Sequence, residues 1–408
     1  MPVCIPSFYP FQKGGIELTY KFLAISDIHW GAMNSEDMYD HLQLVLEFIR
    51  EMKEEIDFLV ICGDYFDYRL QLNSKTTVAA IQWLDELIAT CTEAGVKKIR
   101  IVKGTEGHDY DQLEAFRPTY EDSNGFFRII KYTEREQLFD DLSVVFCPDE
   151  TLNMDEYEEK YWNVFVPAAD IGFFHGNWDN VLPSIEFNRI QEHHLPTMIY
   201  QYEKFSRLIK GPMISGHWHI ATDKKSLYYT GSFDRWKFGE EEPKGFVYGA
   251  YDTSSHEYFI HRVENPLAPR YDTLVVTSDD YLVPADFSNL TDEVRDRISK
   301  DKTMKLHVSY LLMKDSSEAR ENYNTFYRQF ANSKQVKVDM KDIMKSQRKK
   351  EETKKVKEQS TKFAYIYNTT PKDIPEIIQR FILDKKNVDI PLDVVEKYVS
   401  KYLSNLTV

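Results

Sequence analysis

The 408-residue chain carries 66 Asp+Glu against 51 Lys+Arg, a formal charge of −15, with 42% hydrophobic and 29% charged residues. That balance describes a folded chain of two or three domains, and it excludes coating nucleic acid by bulk charge attraction. Apolar runs such as Phe58–Cys62 fall far short of the ~18 residues of a membrane span. The opening MPVCIPSFYPFQKGG has no secretory pattern, and the four dispersed cysteines lack a CxxC pair, so a reducing cytoplasm is expected.

Tyr20–Ile25 is a short apolar run that predicts a strand ending at Ser26-Asp27. A helix is expected from about Asp37, because Leu42, Val45, Ile49 and Met52 recur at helical spacing. Asp57–Cys62 predicts a second buried strand ending at Gly63-Asp64, Val78–Ala89 a helix, and Lys98–Val102 a third strand ending at Gly104. In such layered α/β architectures ligands gather in the loops beyond strand C-termini. Strand signals then dominate: Phe126–Ile130, Leu142–Cys147, Trp162–Val166, Ile171–His175, Tyr228–Thr230 and Phe246–Tyr251. The order predicts two packed sheets flanked by helices.

Asn265–Pro269 punctuates the chain as a domain boundary. Strands at Asp272–Thr277 and Lys305–Leu312, with a helix at Ala319–Phe330, suggest a small α+β module. Residues 341–362, with nine Lys/Arg against four Asp/Glu, read as a solvated helix or linker. Two apolar helix faces follow: one on Ile374, Ile377, Ile378, Phe381 and Ile382, the other on Leu392, Val395, Tyr398, Val399 and Tyr402. The expected division is 1–268, 269–340, the linker 341–362, and 363–408 as a helical docking segment.

Five motifs sit at the strand ends: Ser26-Asp27-Ile28-His29, Gly63-Asp64-Tyr65-Phe66-Asp67, Gly104-Thr105-Glu106-Gly107-His108-Asp109, His175-Gly176-Asn177 and Gly216-His217-Trp218-His219. Five of the 11 histidines fall in them. Residues i and i+2 project to one side of a strand, so Asp27 with His29, or His217 with His219, can present two ligands to one cavity. Mixed carboxylate and imidazole donors suit manganese, iron or zinc, and two such ions can clamp a phosphodiester and activate water. Singly, each motif is more often a turn or a cap. The ordered set points to a metal site. His41, His193, His194, His256, His261 and His307 match no such pattern and read as surface or core histidines.

The set Asp-x-His, Gly-Asp-x-x-Asp, Gly-x-x-x-His-Asp, His-Gly, Gly-His-x-His resembles the calcineurin-like metallophosphoesterase superfamily over roughly residues 20–250. Tyr229–Phe233, Lys237–Glu240 and Pro243–Phe246 are similar to the segment after the last metal motif in SbcD-type nuclease subunits. The resemblance implies a four-layer core with a small capping domain and C-terminal helices. It implies two divalent ions, with manganese favoured. Asp27, His29 and His219 would hold one ion and His175 and His217 the other, with Asp64 bridging. His108 would be catalytic, with Asp67 hydrogen-bonding and orienting its imidazole. The implied activity is exonuclease on duplex DNA ends and endonuclease on single strands or hairpins. The implied partner is an SbcC-type coiled-coil ATPase, in a heterotetramer containing a nuclease homodimer. The same core also serves phosphoprotein phosphatases and small-molecule phosphodiesterases. One departure concerns the third motif, where the family reads Gly-Asn-His and supplies an oxygen ligand from the Asn. Here two residues are inserted and no Asn is present, and Glu106, a carboxylate with room to turn inward, is the expected replacement.

Overall fold

The computed structural model describes residues 12–13, 16–17, 20–121, 124–181, 198–236, 240, 242–278, 284–313 and 316–342, with parts of 375–403. His193, His194, Lys237–Gly239, nearly all of the charged stretch and most of the first apolar C-terminal face lie outside the described residues. The chain divides into two compact units, one of 1–273 with 296–307, the other of 274–295 with 308–408.

The first unit begins with β1 (Tyr20–Ile25), α1 (Ser35–Glu51), β2 (Phe58–Cys62), α2 (Lys75–Glu93), β3 (Lys98–Val102) and β4 (Phe127–Ile130). These four strands run parallel in the order β1-β2-β3-β4. Next come β5 (Glu134–Phe139), β6 (Leu142–Cys147), α3 (Met154–Phe165), β7 (Ile171–His175), β8 (Met213–Gly216), β9 (Thr222–Lys224) and β10 (Leu227–Tyr229). They build a second sheet in the order β9-β10-β8-β7-β6-β5. The chain then returns to the first sheet with β11 (Gly245–Tyr251), antiparallel to β1, and β12 (Tyr258–Glu264) on its edge.

Strand parity explains the layers. On β1 and β2, Phe22, Ala24, Phe58 and Val60 point into a core shared with Val144, Phe146, Phe173 and Ile214 of the second sheet. The alternate residues Leu23, Ile25, Leu59 and Ile61 pack instead with Leu42, Val45, Leu84 and Leu87 of α1 and α2. Val145, Phe174 and Met213 face outward from the second sheet onto Tyr157, Tyr161 and Phe165. The result is helix, sheet, sheet, helix, as the sequence predicts. Across the seam between the sheets, the fully buried Arg100 of β3 grips Glu136 of β5 through Nε (2.8 Å) and Nη2 (2.5 Å).

The expected strand at Trp162–Val166 is instead the end of α3. Asn153 and Glu156 form a reciprocal cap at its start. Tyr157, Tyr161 and Phe165 then recur every four residues and are all buried, so helical periodicity overrides the local β preference of Trp-x-Val-Phe-Val. The second unit contributes to a three-stranded sheet of β13 (Tyr271–Thr277), β14 (Lys305–Leu312) and β15 (Val336–Asp342), with α4 (Pro284–Lys300), α5 (Ser317–Phe330) and α6 (Leu392–Leu403). Its core includes Phe287 against Tyr310 and Phe326, with ring centroids 5.7 and 6.1 Å apart. Among the described residues no helix is long and apolar enough to cross a membrane.

Candidate metal centre

Parallel pairing of β1, β2 and β3, and of β7 and β8, sends the five motif loops out at strand C-termini. The first two loops are laced together. Asp27 N donates to Gly63 O (3.0 Å), His29 N to Asp64 O (3.0 Å) and Trp30 N to Tyr65 O (2.9 Å). Asp27, His29, Asp64 and His217 all hold positive φ, from 49° to 92°, where non-glycine residues are rare. Such backbone persists only where surrounding contacts enforce it, and it clusters at functional sites. Close approach also fixes two glycines. A Cβ on Gly63 would lie 2.2 Å from His175 Nδ1, and one on Gly104 would lie 2.0 Å from Asp64 N.

The side chains converge in overlapping groups: Asp27, His29, His219; Asp64, His175, His217; and His29, Asp64, His108. In each, one donor atom per residue lies within 4.8 Å of the others. His29 Nε2 and His219 Nε2 are 3.0 Å apart, and His175 Nε2 is 3.2 Å from Asp64 Oδ1. Asp64 Oδ2 lies 3.8 Å from His29 Nε2 and 4.0 Å from His108 Nε2, which places this carboxylate between the groups. Buried carboxylates and imidazoles aimed at common points form a donor set that fits divalent cations.

The far sides of two rings, His175 and His219, are committed elsewhere. His175 Nδ1 donates to Cys62 O (2.7 Å), leaving Nε2 for the centre. His219 Nδ1 meets Glu240 Oε1 at 3.3 Å, and Trp236 N donates to Glu240 Oε2 at 3.0 Å. The buried Lys244 ammonium lies 3.4 Å from Glu240 and donates to His219 O and Ser232 Oγ, both at 2.9 Å. Burial opposes ionisation of Glu240, but His219 and Lys244 outweigh it and hold the carboxyl down to about 2. Such outer contacts fix the tautomer and aim of a ligating imidazole.

Charge couples the groups as well. Burial would depress His175, yet the Asp64 and Asp27 carboxylates outweigh it and lift the imidazole to about 10. Burial and the His175 charge push His217 down to about 4. Without cations, the raised His175 contributes stability that is fully present below about 6.5 and is lost as pH rises through about 10. A cation taking Nε2 must displace that proton. We expect the chelator-treated protein to melt at lower temperature at pH 10 than at pH 6.5, and cation uptake at pH 7 to release a proton. Calorimetry in buffers of different ionisation heat checks this, and an uptake heat independent of buffer would contradict it.

Two expectations need correction. Glu106 does not enter the centre. Its carboxylate pairs with Lys103 and its side chain is 58% exposed. Residues 106–109 form a helical turn with Thr105 at its N-cap position, which turns Glu106 outward. Thr105 faces inward instead. Its N donates to Asp64 Oδ1 (2.6 Å), and its hydroxyl lies 3.3–3.4 Å from Asp64 Oδ2, His175 Nε2 and His217 Nδ1. The second correction is Asp67, which meets His108 through its backbone carbonyl, the acceptor of Nδ1. The Asp67 carboxylate is 4.0 Å from that nitrogen and 3.2 Å from His29 Nδ1, an ion-pair distance without hydrogen-bond alignment. Asp67 N is tied to Trp30 O (3.1 Å), which holds the residue beside the first loop.

Sequence reasoning missed Glu240 and Lys244 as supports, although both lie in the segment singled out after the last motif. It also missed Asp109, a buried carboxylate accepting from Phe66 N (3.0 Å) and Gly104 N (2.6 Å). Burial, reinforced by Asp64, raises its carboxyl to about 6.

Among curated proteins none matches this sequence. Solved structures that match include one titled a hypothetical protein from Thermus thermophilus, at 11% identity and a TM-score of 0.31, covering 60% of this chain and 100% of that one. The family model of the calcineurin-like phosphoesterases matches residues 20–252, which contain all five strand-end motifs. The match takes in more than half of the sequence, and the chain belongs to the calcineurin-like phosphoesterase family.

Proposed function

We propose that this metal-dependent phosphoesterase is a DNA nuclease of the SbcD type. The supporting observation is where the SbcD-like segment lands: Glu240 and Lys244 come from it and together hold His219 from behind. Asp27, His29 and His219 would hold one cation and His175 and His217 the other, with Asp64, placed between the groups, available to both. The mixed oxygen and imidazole donors favour manganese. When bound, the ions supply Lewis acidity toward the phosphate and an activated water. The chain's own contributions are positional. Glu240 and the Cys62 carbonyl fix two ring tautomers, and the Asp67 carbonyl holds His108 with Nε2 toward the centre. As water attacks phosphorus and gives up a proton to solvent, the bond to one ester oxygen breaks; His108 Nε2 delivers a proton to that oxygen and takes one back from solvent. An SbcC-type ATPase is the proposed partner, with α6 in the segment that docks it.

The deciding experiment sets labelled linear and hairpin DNA beside a phosphopeptide and a chromogenic phosphodiester, each with manganese and after chelation. Manganese-dependent cleavage of DNA alone or best supports the nuclease. Phosphopeptide turnover with intact DNA would assign a phosphatase.

Two support residues give sharper expectations. Glu240→Ala should weaken cation binding at the His219 group by roughly 10–100-fold, read as one altered site in a two-site calorimetric titration. Thr105→Val should weaken the other site several-fold, while Glu106→Gln leaves both unchanged. The reverse ranking would return Glu106 to the centre.

A further inference from the structure

A cavity of about 520 Å³ lies between the loop after β2, the start of α2 and the segment from Tyr110 to Tyr120 that follows His108. Phe66, Leu70 and Phe116, with Ile81 of α2, give it apolar walls, and Arg69 and Tyr110 line it where the chain is more exposed. The walls are fastened to His108. Gln112 Nε2 donates to Tyr68 O (3.1 Å) and His108 O (3.5 Å), and its Oε1 accepts from Leu70 N (2.7 Å). Tyr110 follows His108 by two residues, so their Cα atoms are within ~7 Å.

Three features mark this cavity as a receiver of something outside the fold. Its volume lies in the ~300–1,000 Å³ range of ligand sites. The exposed Arg69 guanidinium makes no hydrogen bond or close ion pair among the described residues; Asp111, which also lines the cavity, feels its charge but bonds Lys131 at 3.0 Å. Tyr110 is 37% exposed and is held at φ 47°, ψ −143°, a conformation that L residues rarely adopt. Aromatic and apolar walls take a flat ring, and an exposed guanidinium takes a phosphate or stacks on a base.

We propose that this cavity receives the nucleobase adjoining the scissile phosphate, with Arg69 on the neighbouring phosphate. The proposal rests on the nuclease reading and adds to it a subsite that positions the strand at His108. It is tested on the full chain with manganese, using oligonucleotides cut at one site. One carries a normal base beside that site, the other an abasic residue. The wild type should cut the abasic strand at ~10-fold lower kcat/KM, the order of one lost base-stacking contact. Ala115→Phe, which narrows the cavity, should cut both strands equally poorly while its metal content stays unchanged. If that variant loses its metals, Arg69→Ala takes its place, with partial recovery in Arg69→Lys. Equal cutting of both strands by the wild type, or undiminished discrimination in both variants, would overturn the pocket and leave the nuclease standing. Calorimetry with thymidine 5′-monophosphate separates the two claims further. Binding weakened ~10-fold by Ala115→Phe supports the pocket even where no DNA is cut, and absence of binding counts against it even where DNA is cut.

Discussion

Asp64→Ala is expected to bring metal-dependent phosphoester cleavage to background, roughly 10³-fold or more below wild type, and to remove at least one bound ion per chain. The size of the effect follows from position. Asp64 is buried, held at positive φ, and points one oxygen at His175 and the other toward His29 and His108. Burial alone would raise its carboxyl, but His175, His29 and His108 more than offset that and keep it well below the usual carboxylate range. Removing it leaves a buried imidazolium at His175 without its counter-charge, so the two-ion arrangement fails together with the electrostatics that hold it. Metal analysis beside the cleavage assay checks both losses. A variant that still binds two ions and hydrolyses a phosphoester would contradict the expected bridging role.

His108→Ala should lower turnover by roughly 10²–10⁴-fold, the range for removal of a general acid, while two ions per chain remain. His108 lies within 4.8 Å of donor atoms on His29 and Asp64, so metal content is the readout that separates proton delivery from coordination. Its Nδ1 is spent on the Asp67 carbonyl, which leaves Nε2 to face the centre. Loss of an ion in this variant would make His108 a ligand. Asp67→Asn should disturb His29 more than His108, because the carboxylate adjoins the former and only the backbone reaches the latter.

The parts of this fold that could be read beforehand are those in which one physical rule dominates. β1, β3, β6, β7 and β14 fall where short apolar runs end in Gly or Asp, and α1 buries Leu42, Val45 and Ile49 as their spacing demands. β5 and β12 were not legible because both are edge strands. Glu-Arg-Glu-Gln in β5 and His-Arg in β12 interrupt any apolar signal, and pairing on one side suffices to hold them. Motif order singled out the six Asp and His residues that the structure brings into the two main donor groups. Thr105, Glu240 and Lys244 were not, because their parts depend on the direction a loop takes after a strand ends. The helical turn at 106–109 decided between Thr105 and Glu106, and spacing alone carries no sign of that turn.

The donor residues are drawn from both sheets. Asp27, His29, Asp64 and His108 follow strands of the first, while His175 ends a strand of the second and His217 and His219 follow another. The centre is therefore a clasp across the sandwich, at one end of the seam that Arg100 and Glu136 also span. An ion bound there grips two layers whose remaining contact is largely oily, and each ion at 100 times its Kd adds about 2.7 kcal/mol of resistance to unfolding. Fold integrity and metal loading thus become one property: damage such as Phe146→Ala, deep between the layers and distant from the loops in sequence, should surface first as a protein that holds its ions loosely.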